Sequence, residues 1–103
     1  MDYPKNYKAF IALVEATDAP PKSWSDELCS LWWEAKGNWG KAHSLIDVKE
    51  SPTANRIHAY LHRKEGDDWN AQYWYGRANQ GFPKISLKKE LEQLIKVALA
   101  KYI

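Results

Sequence analysis

The chain has 103 residues, a formal net charge of +2, a single cysteine and six tryptophans. That length suits one domain with its own core, and the scattered charge gives no basic stripe for nucleic acid. No stretch reaches the roughly 18 apolar residues of a membrane span, no signal peptide is readable, and the lone Cys29 excludes an internal disulfide, so the expectation is a cytoplasmic protein.

Residues 4–17 read as a first helix, with Tyr7, Phe10, Ile11 and Val14 on one face. Pro20 and Pro21 end it. Ser23 or Ser25 caps a second helix, whose stripe is Trp24, Leu28, Leu31, Trp32 and Ala35 and whose stop is Gly37. Asn38 caps a short third helix carrying Trp39, Ala42, Leu45 and Ile46. The junction of Gly37 and Asn38 is too short for a crossover, so these two helices are antiparallel neighbours.

Ser51 and Pro52 open a fourth helix. Ala54, Ile57, His58, Leu61, His62 and Glu65 fall on one stripe of it, Gly66 closes it, and Asp67 caps the fifth. The fifth helix has an inner face of Ala71, Trp74, Tyr75 and Ala78, with Trp69 and Tyr73 on a flank. A helix apolar over that much of its circumference is expected to be covered on two sides. After the break at Gly81-Phe82-Pro83, Ser86 caps the last helix. Its stripe is Leu87, Leu91, Leu94, Ile95, Ala98 and Tyr102, and Lys88, Lys89, Glu92, Lys96 and Lys101 form a solvated face. No alternating β-branched run predicts a strand. The reading is an all-α fold of six helices in one domain, residues 1–103: two tandem antiparallel hairpins flanked by an N-terminal and a C-terminal helix.

The two hairpins align at an offset of 29 residues. Gly37 meets Gly66, Asn38 meets Asp67, Ala42 meets Ala71, and Trp32 meets Leu61. Breaker, cap, small residue and large apolar residue recur in order, which is the pattern of units that bury their faces only against neighbours. On Gly66, Ala71, Tyr75, Ala78 and Pro83 the second hairpin resembles a tetratricopeptide repeat, and especially its Sel1-like relative; Ala59 fits the small position of the first helix. Ser30, Trp33, Gly37, Ala42 and Ile46 of the first hairpin fit, whereas Lys49 and Ala54 do not. His58 and His62 stand where the family has large apolar residues. The resemblance covers about half the chain and implies packing and protein binding. The stretch from His58 to Asp67, with Asn70 to Tyr75, also resembles a group of small bacterial proteins, which implies a bacterial source and no particular activity.

His58, His62 and Glu65 lie at i, i+4 and i+7, so one helical face presents two imidazoles and a carboxylate, ligands that zinc or non-haem iron accepts. His43 and Asp67 are additions that the sequence does not place nearby. The competing reading has His62 favoured by the helix dipole and His58 hydrogen-bonded in the core, so no metal or other cofactor is assigned. Arg56, Arg63 and Arg77 suit an anion site beside aromatic rings or surface ion pairs with Glu65, Asp67 and Asp68. Arg63 also stands where it can lock the hairpin turn through Asp67. Cys29 lacks any catalytic setting, and Ser25, Ser51 and Ser86 are better explained as caps than as nucleophiles.

The functional expectation is a protein-interaction or scaffolding module rather than an enzyme, binding through His58, His62, Glu65, Trp69, Tyr73 and Arg77. Its partner is another protein or a second copy, with neither nucleic acid nor membrane involved. Two alternatives stand beside it: a small metal- or anion-dependent enzyme using His58, His62 and Glu65, and a structural self-associating protein.

Overall fold

Each helix starts where a short polar side chain can take over an N–H that the helix leaves unpaired. Among residues 3–102, which the computed structural model describes, the helices are α1 (Tyr7–Ala16), α2 (Asp26–Lys36), α3 (Trp39–Ile46), α4 (Pro52–Lys64), α5 (Asp68–Arg77) and α6 (Leu87–Leu99). Asn6, Ser25, Asn38, Ser51, Asp67 and Ser86 each accept a hydrogen bond from the backbone N–H three residues on. Such caps contribute about 1 kcal/mol apiece. The all-α, six-helix expectation holds. α1 begins three residues late because Asn6, not Pro4, carries the capping oxygen, which lies 2.8 Å from the Ala9 nitrogen.

The closest helix pairs are α4 with α5 and α2 with α3. Gly37 and Gly66 take left-handed φ values of 96° and 88°. After each, the next residue donates back into the preceding helix, Asn38 to the Trp33 carbonyl and Asp67 to that of His62. A side chain larger than glycine would strain both turns. Beyond each turn a fully buried alanine, Ala42 or Ala71, lets the paired helix approach.

The main core joins Phe10 and Val14 of α1, Leu28, Leu31 and Trp32 of α2, Ile57 and Leu61 of α4, and Leu94, Ile95 and Ala98 of α6. Trp24 lies before α2 rather than on its stripe. It is buried nonetheless, stacked near Phe10 at 5.8 Å between ring centroids. Tyr102 lies past the end of α6 and stacks on Tyr3 at 4.3 Å. Two buried carboxylates tie the helices together. Glu34 of α2 accepts the Tyr60 hydroxyl at 2.8 Å and pairs with Lys64. Glu90 of α6 accepts from Arg63 at 2.8 Å and from the Tyr75 hydroxyl at 2.6 Å, joining α4, α5 and α6. Burial first, and the neighbouring carboxylate second, pushes both tyrosine hydroxyls well above their ordinary pKa. Arg63 is therefore not the lock on the Asp67 turn, because Glu90 and the Ile85 carbonyl take its guanidinium.

α5 is covered on one side only. Ala71 and Tyr75 are buried, but Trp69 is 76% exposed and Tyr73 56%, so the expectation of cover on two sides fails. No neighbouring element reaches the flank because α6 packs against α4 and α2 instead. Among the described residues, no helix is long and apolar enough to cross a membrane.

Candidate metal centre

α3 and α4 run beside each other after a short turn at residues 47–51. That contact brings together three imidazoles from two helices. His43 Nε2 and His58 Nε2 are hydrogen-bonded at 3.1 Å, which ties the buried His58 to a neighbouring helix as the packing reading expects, and the rings meet edge to face at 79°. His62, one turn beyond His58, stacks on it with ring centroids 4.9 Å apart. One ring nitrogen from each of the three lies within 4.8 Å of the other two. Asp47, the residue that ends α3, adds a carboxylate oxygen 3.9 Å from His43 Nε2 and 4.0 Å from His58 Nε2.

Aromatic rings hold the imidazoles in place. His58 stacks on Trp74 of α5 at 3.9 Å, and His43 stacks on Trp39 at 4.9 Å with planes 7° apart. Trp39 is itself fixed by a 2.8 Å bond from its indole N–H to the Leu61 carbonyl. Glu65 accepts from or shares a proton with His62 Nδ1 at 2.6 Å. This leaves Nε2 as the free nitrogen of His62, and it fixes the ring as a carboxylate fixes a metal-bound histidine.

His58 is 3% exposed and its Nδ1 has no hydrogen-bond partner. Burial first, then the positive charge that His43 and His62 can carry, lowers its pKa from 6.5 to about 4, with Asp47 acting weakly the other way. At neutral pH His58 is thus an uncharged imidazole, the form that binds a metal. A tetrahedral zinc ion with bonds of about 2.0–2.1 Å places its ligand nitrogens about 3.3 Å apart. The 3.1 Å separation of His43 and His58 is close to that value. The exposed Asp47 side chain has room to close its remaining gap.

The expected site residues divide. His58 and His62 belong to the cluster, and Glu65 supports it from behind. Arg77 lies outside, its guanidinium 5.2 Å from the Trp74 ring and 6.0 Å from that of Tyr73. Trp69 and Tyr73 form an exposed ridge with it on the outer face of α5. Among the described residues none of Arg56, Arg63 and Arg77 pairs with Glu65, Asp67 or Asp68: Arg63 turns to Glu90, and Arg77 lies 3.8 Å from Glu50. In the sequence His43 is legible only as a possible addition, and Asp47 is not legible as a ligand. The available signal was two i, i+4 pairs of potential ligands, His43 with Asp47 and His58 with His62, on consecutive helices. Cys29 is buried against the carbonyls of Pro21 and Trp24, and burial raises its pKa, which leaves it an inert thiol. Comparison of the chain with family models, curated proteins and solved structures finds no match.

Proposed function

We propose that the protein binds one first-row divalent metal ion, zinc foremost, on His43, His58 and His62, with Asp47 as the fourth ligand. The observation that carries this is the approach of His43 Nε2 to His58 Nε2 at 3.1 Å beside a third imidazole. Three nitrogens and a carboxylate suit zinc. The test is metal titration by calorimetry on protein purified without a histidine tag and stripped with chelator. One zinc per chain is expected, with His43→Ala and His62→Ala each weakening binding at least tenfold, about the 1.4 kcal/mol that a tenfold change represents. Absence of stoichiometric binding, or a His43→Ala protein that binds as the parent does, sinks the proposal.

A second reading, the interaction module, is favoured by a separate observation. Trp69 and Tyr73, one helical turn apart, are 76% and 56% exposed with Arg77 beside them. Tryptophan, tyrosine and arginine are the residues that dominate binding energy in protein interfaces. Trp74 carries both Arg77 and His58 against its ring, so ridge and histidines adjoin. The recurrence of one turn chemistry at Gly37 and Gly66 supports the Sel1-like reading of the two helix pairs, and with it this role. Light scattering and pull-down with Trp69→Ala and Arg77→Ala test it. A monomer whose captured partners ignore both changes argues against the ridge.

A further inference from the structure

We infer that the cleft between α4, the C-terminal end of α5 and the start of α6 binds a small oxyanion, a carboxylate or phosphate group on a compact molecule. The cleft has a volume of about 230 Å³ and shares no residue with the histidine cluster. Its wall carries two cations, Arg56 and Lys84, and two carboxamides, Gln80 and Gln93.

Glu90 also lines the cleft, and an anionic floor would repel an anion. Its charge is already matched, however. Glu90 is 2% exposed, one oxygen accepts from Arg63 at 2.8 Å, and the other accepts from the Tyr75 hydroxyl at 2.6 Å. No such match exists for Arg56 and Lys84, neither of which forms an ion pair with another described residue. The local balance is therefore positive once Glu90 and Arg63 are set against each other.

The backbone sets where these side chains emerge, with Gln80, Lys84 and Gln93 exposed and Arg56 partly buried. Arg56, on α4, is the least exposed of the four polar groups in the wall. Gln80 follows Asn79, whose φ of 58° turns the chain at the end of α5, and the Gln80 N–H is fixed to the Tyr75 carbonyl at 2.9 Å. Pro83 stiffens the approach to Lys84. A guanidinium recognises carboxylate or phosphate through two parallel hydrogen bonds, and the carboxamides supply neutral donors beside it. The volume falls below the roughly 300–1,000 Å³ of sites for drug-sized ligands, which limits the occupant to a few heavy atoms beyond the anionic group.

The experiment is an NMR titration of the metal-free protein with sodium phosphate and, separately, with sodium citrate, against sodium chloride at matched ionic strength. Saturable shifts at the amides of Gly81, Lys84 and Gln93 are expected with phosphate, citrate or both, and not with chloride. The arm that saturates assigns the anion as phosphate or carboxylate. Arg56→Gln should raise the apparent Kd at least about tenfold, the loss of one charge-assisted hydrogen bond, while Lys22→Gln, an exposed cation outside the cleft, leaves it unchanged. Arg56→Lys, which keeps the charge but not the fork, should fall between. If Arg56→Gln is not folded by circular dichroism, Lys84→Gln and Arg56→Lys carry the same comparison. Absence of saturation in both arms, or folded Arg56 and Lys84 variants that titrate like the parent, overturns the inference.

Discussion

Occupation of the histidine cluster should stabilise the fold, and the size of the effect follows from where the ligands sit. His43 comes from α3, while His58 and His62 come from α4, so a bound ion pins together two helices that meet along a limited surface. The unfolded chain offers no such arrangement, so binding energy becomes folding energy. His58, with its pKa lowered to about 4, has no proton to release at pH 7. At a free zinc concentration a hundred times Kd, the folded state gains about 2.7 kcal/mol. For a domain near 100 residues each kcal/mol raises Tm by about 4–8 °C, so the expected rise is about 10–20 °C. The assay is thermal unfolding by circular dichroism with chelator and then with excess zinc, on the parent, His43→Ala and His58→Phe. His58→Phe keeps a ring to stack on Trp74 and removes both the unpartnered buried Nδ1 and the hydrogen bond to His43. These losses and gains are each on the order of 1 kcal/mol, so its metal-free form should melt close to the parent, and zinc should not shift it. A full zinc shift in either variant, or none in the parent, refutes the reasoning.

The metal-free protein should also lose stability in mild acid through His58. Its pKa is about 6.5 unfolded and about 4 folded, so the unfolded chain takes up the extra proton in that window. The contribution is whole above pH 6.5 and is lost as pH falls towards 4, at most about 3–4 kcal/mol at 1.36 kcal/mol per pKa unit. Urea unfolding across this range should show a steeper loss for the parent than for His58→Phe, and parallel curves would count against it. Glu90→Gln should lower stability by about 3 kcal/mol, the low end for breaking a buried ion pair because Arg63 retains some exposure. A change in the urea-derived free energy below about 1 kcal/mol would show that Arg63 finds another partner.

Local rules carried most of the fold. Ser25, Ser51 and Ser86 are caps, and the breaks at Gly37 and Gly66 fall where left-handed turns occur. These features depend on residues within one turn of each other, so spacing reveals them. Failures came where the answer depended on neighbours distant in sequence. Periodicity shows that Trp69 and Tyr73 share a flank but not whether another helix covers it, and none does. Arg63 has an acid four residues on, yet Glu90, 27 residues away, takes it. The same limit applies to the site. His58, His62 and Glu65 are legible as a helical face, whereas His43 joins them only through the packing of α3 on α4.

Packing alone gives a poor account of why three histidines occupy this place. A stack on Trp74 needs only a ring, which phenylalanine supplies, and the single hydrogen bond between His43 and His58 does not require a third imidazole beside it. In the metal-free state the cluster carries two electrostatic or solvation costs. Proximity of His43 and His62 disfavours charge on His58, and His58 Nδ1 is buried without a partner at a cost of about 1–3 kcal/mol. A divalent ion reverses the first of these. It requires neutral imidazoles and requires their nitrogens to be close, so the lowered pKa becomes an advantage and the 3.1 Å approach becomes a shared coordination edge. Asp47 changes role in the same way, from a weak partial compensation at 4.0 Å to a charge facing a cation. The Nδ1 cost is the same with or without metal, so it cannot favour either account. What separates them is the response to zinc: a packing role predicts no zinc-dependent rise in Tm for the parent, whereas a metal role predicts one that His43→Ala and His58→Phe both abolish.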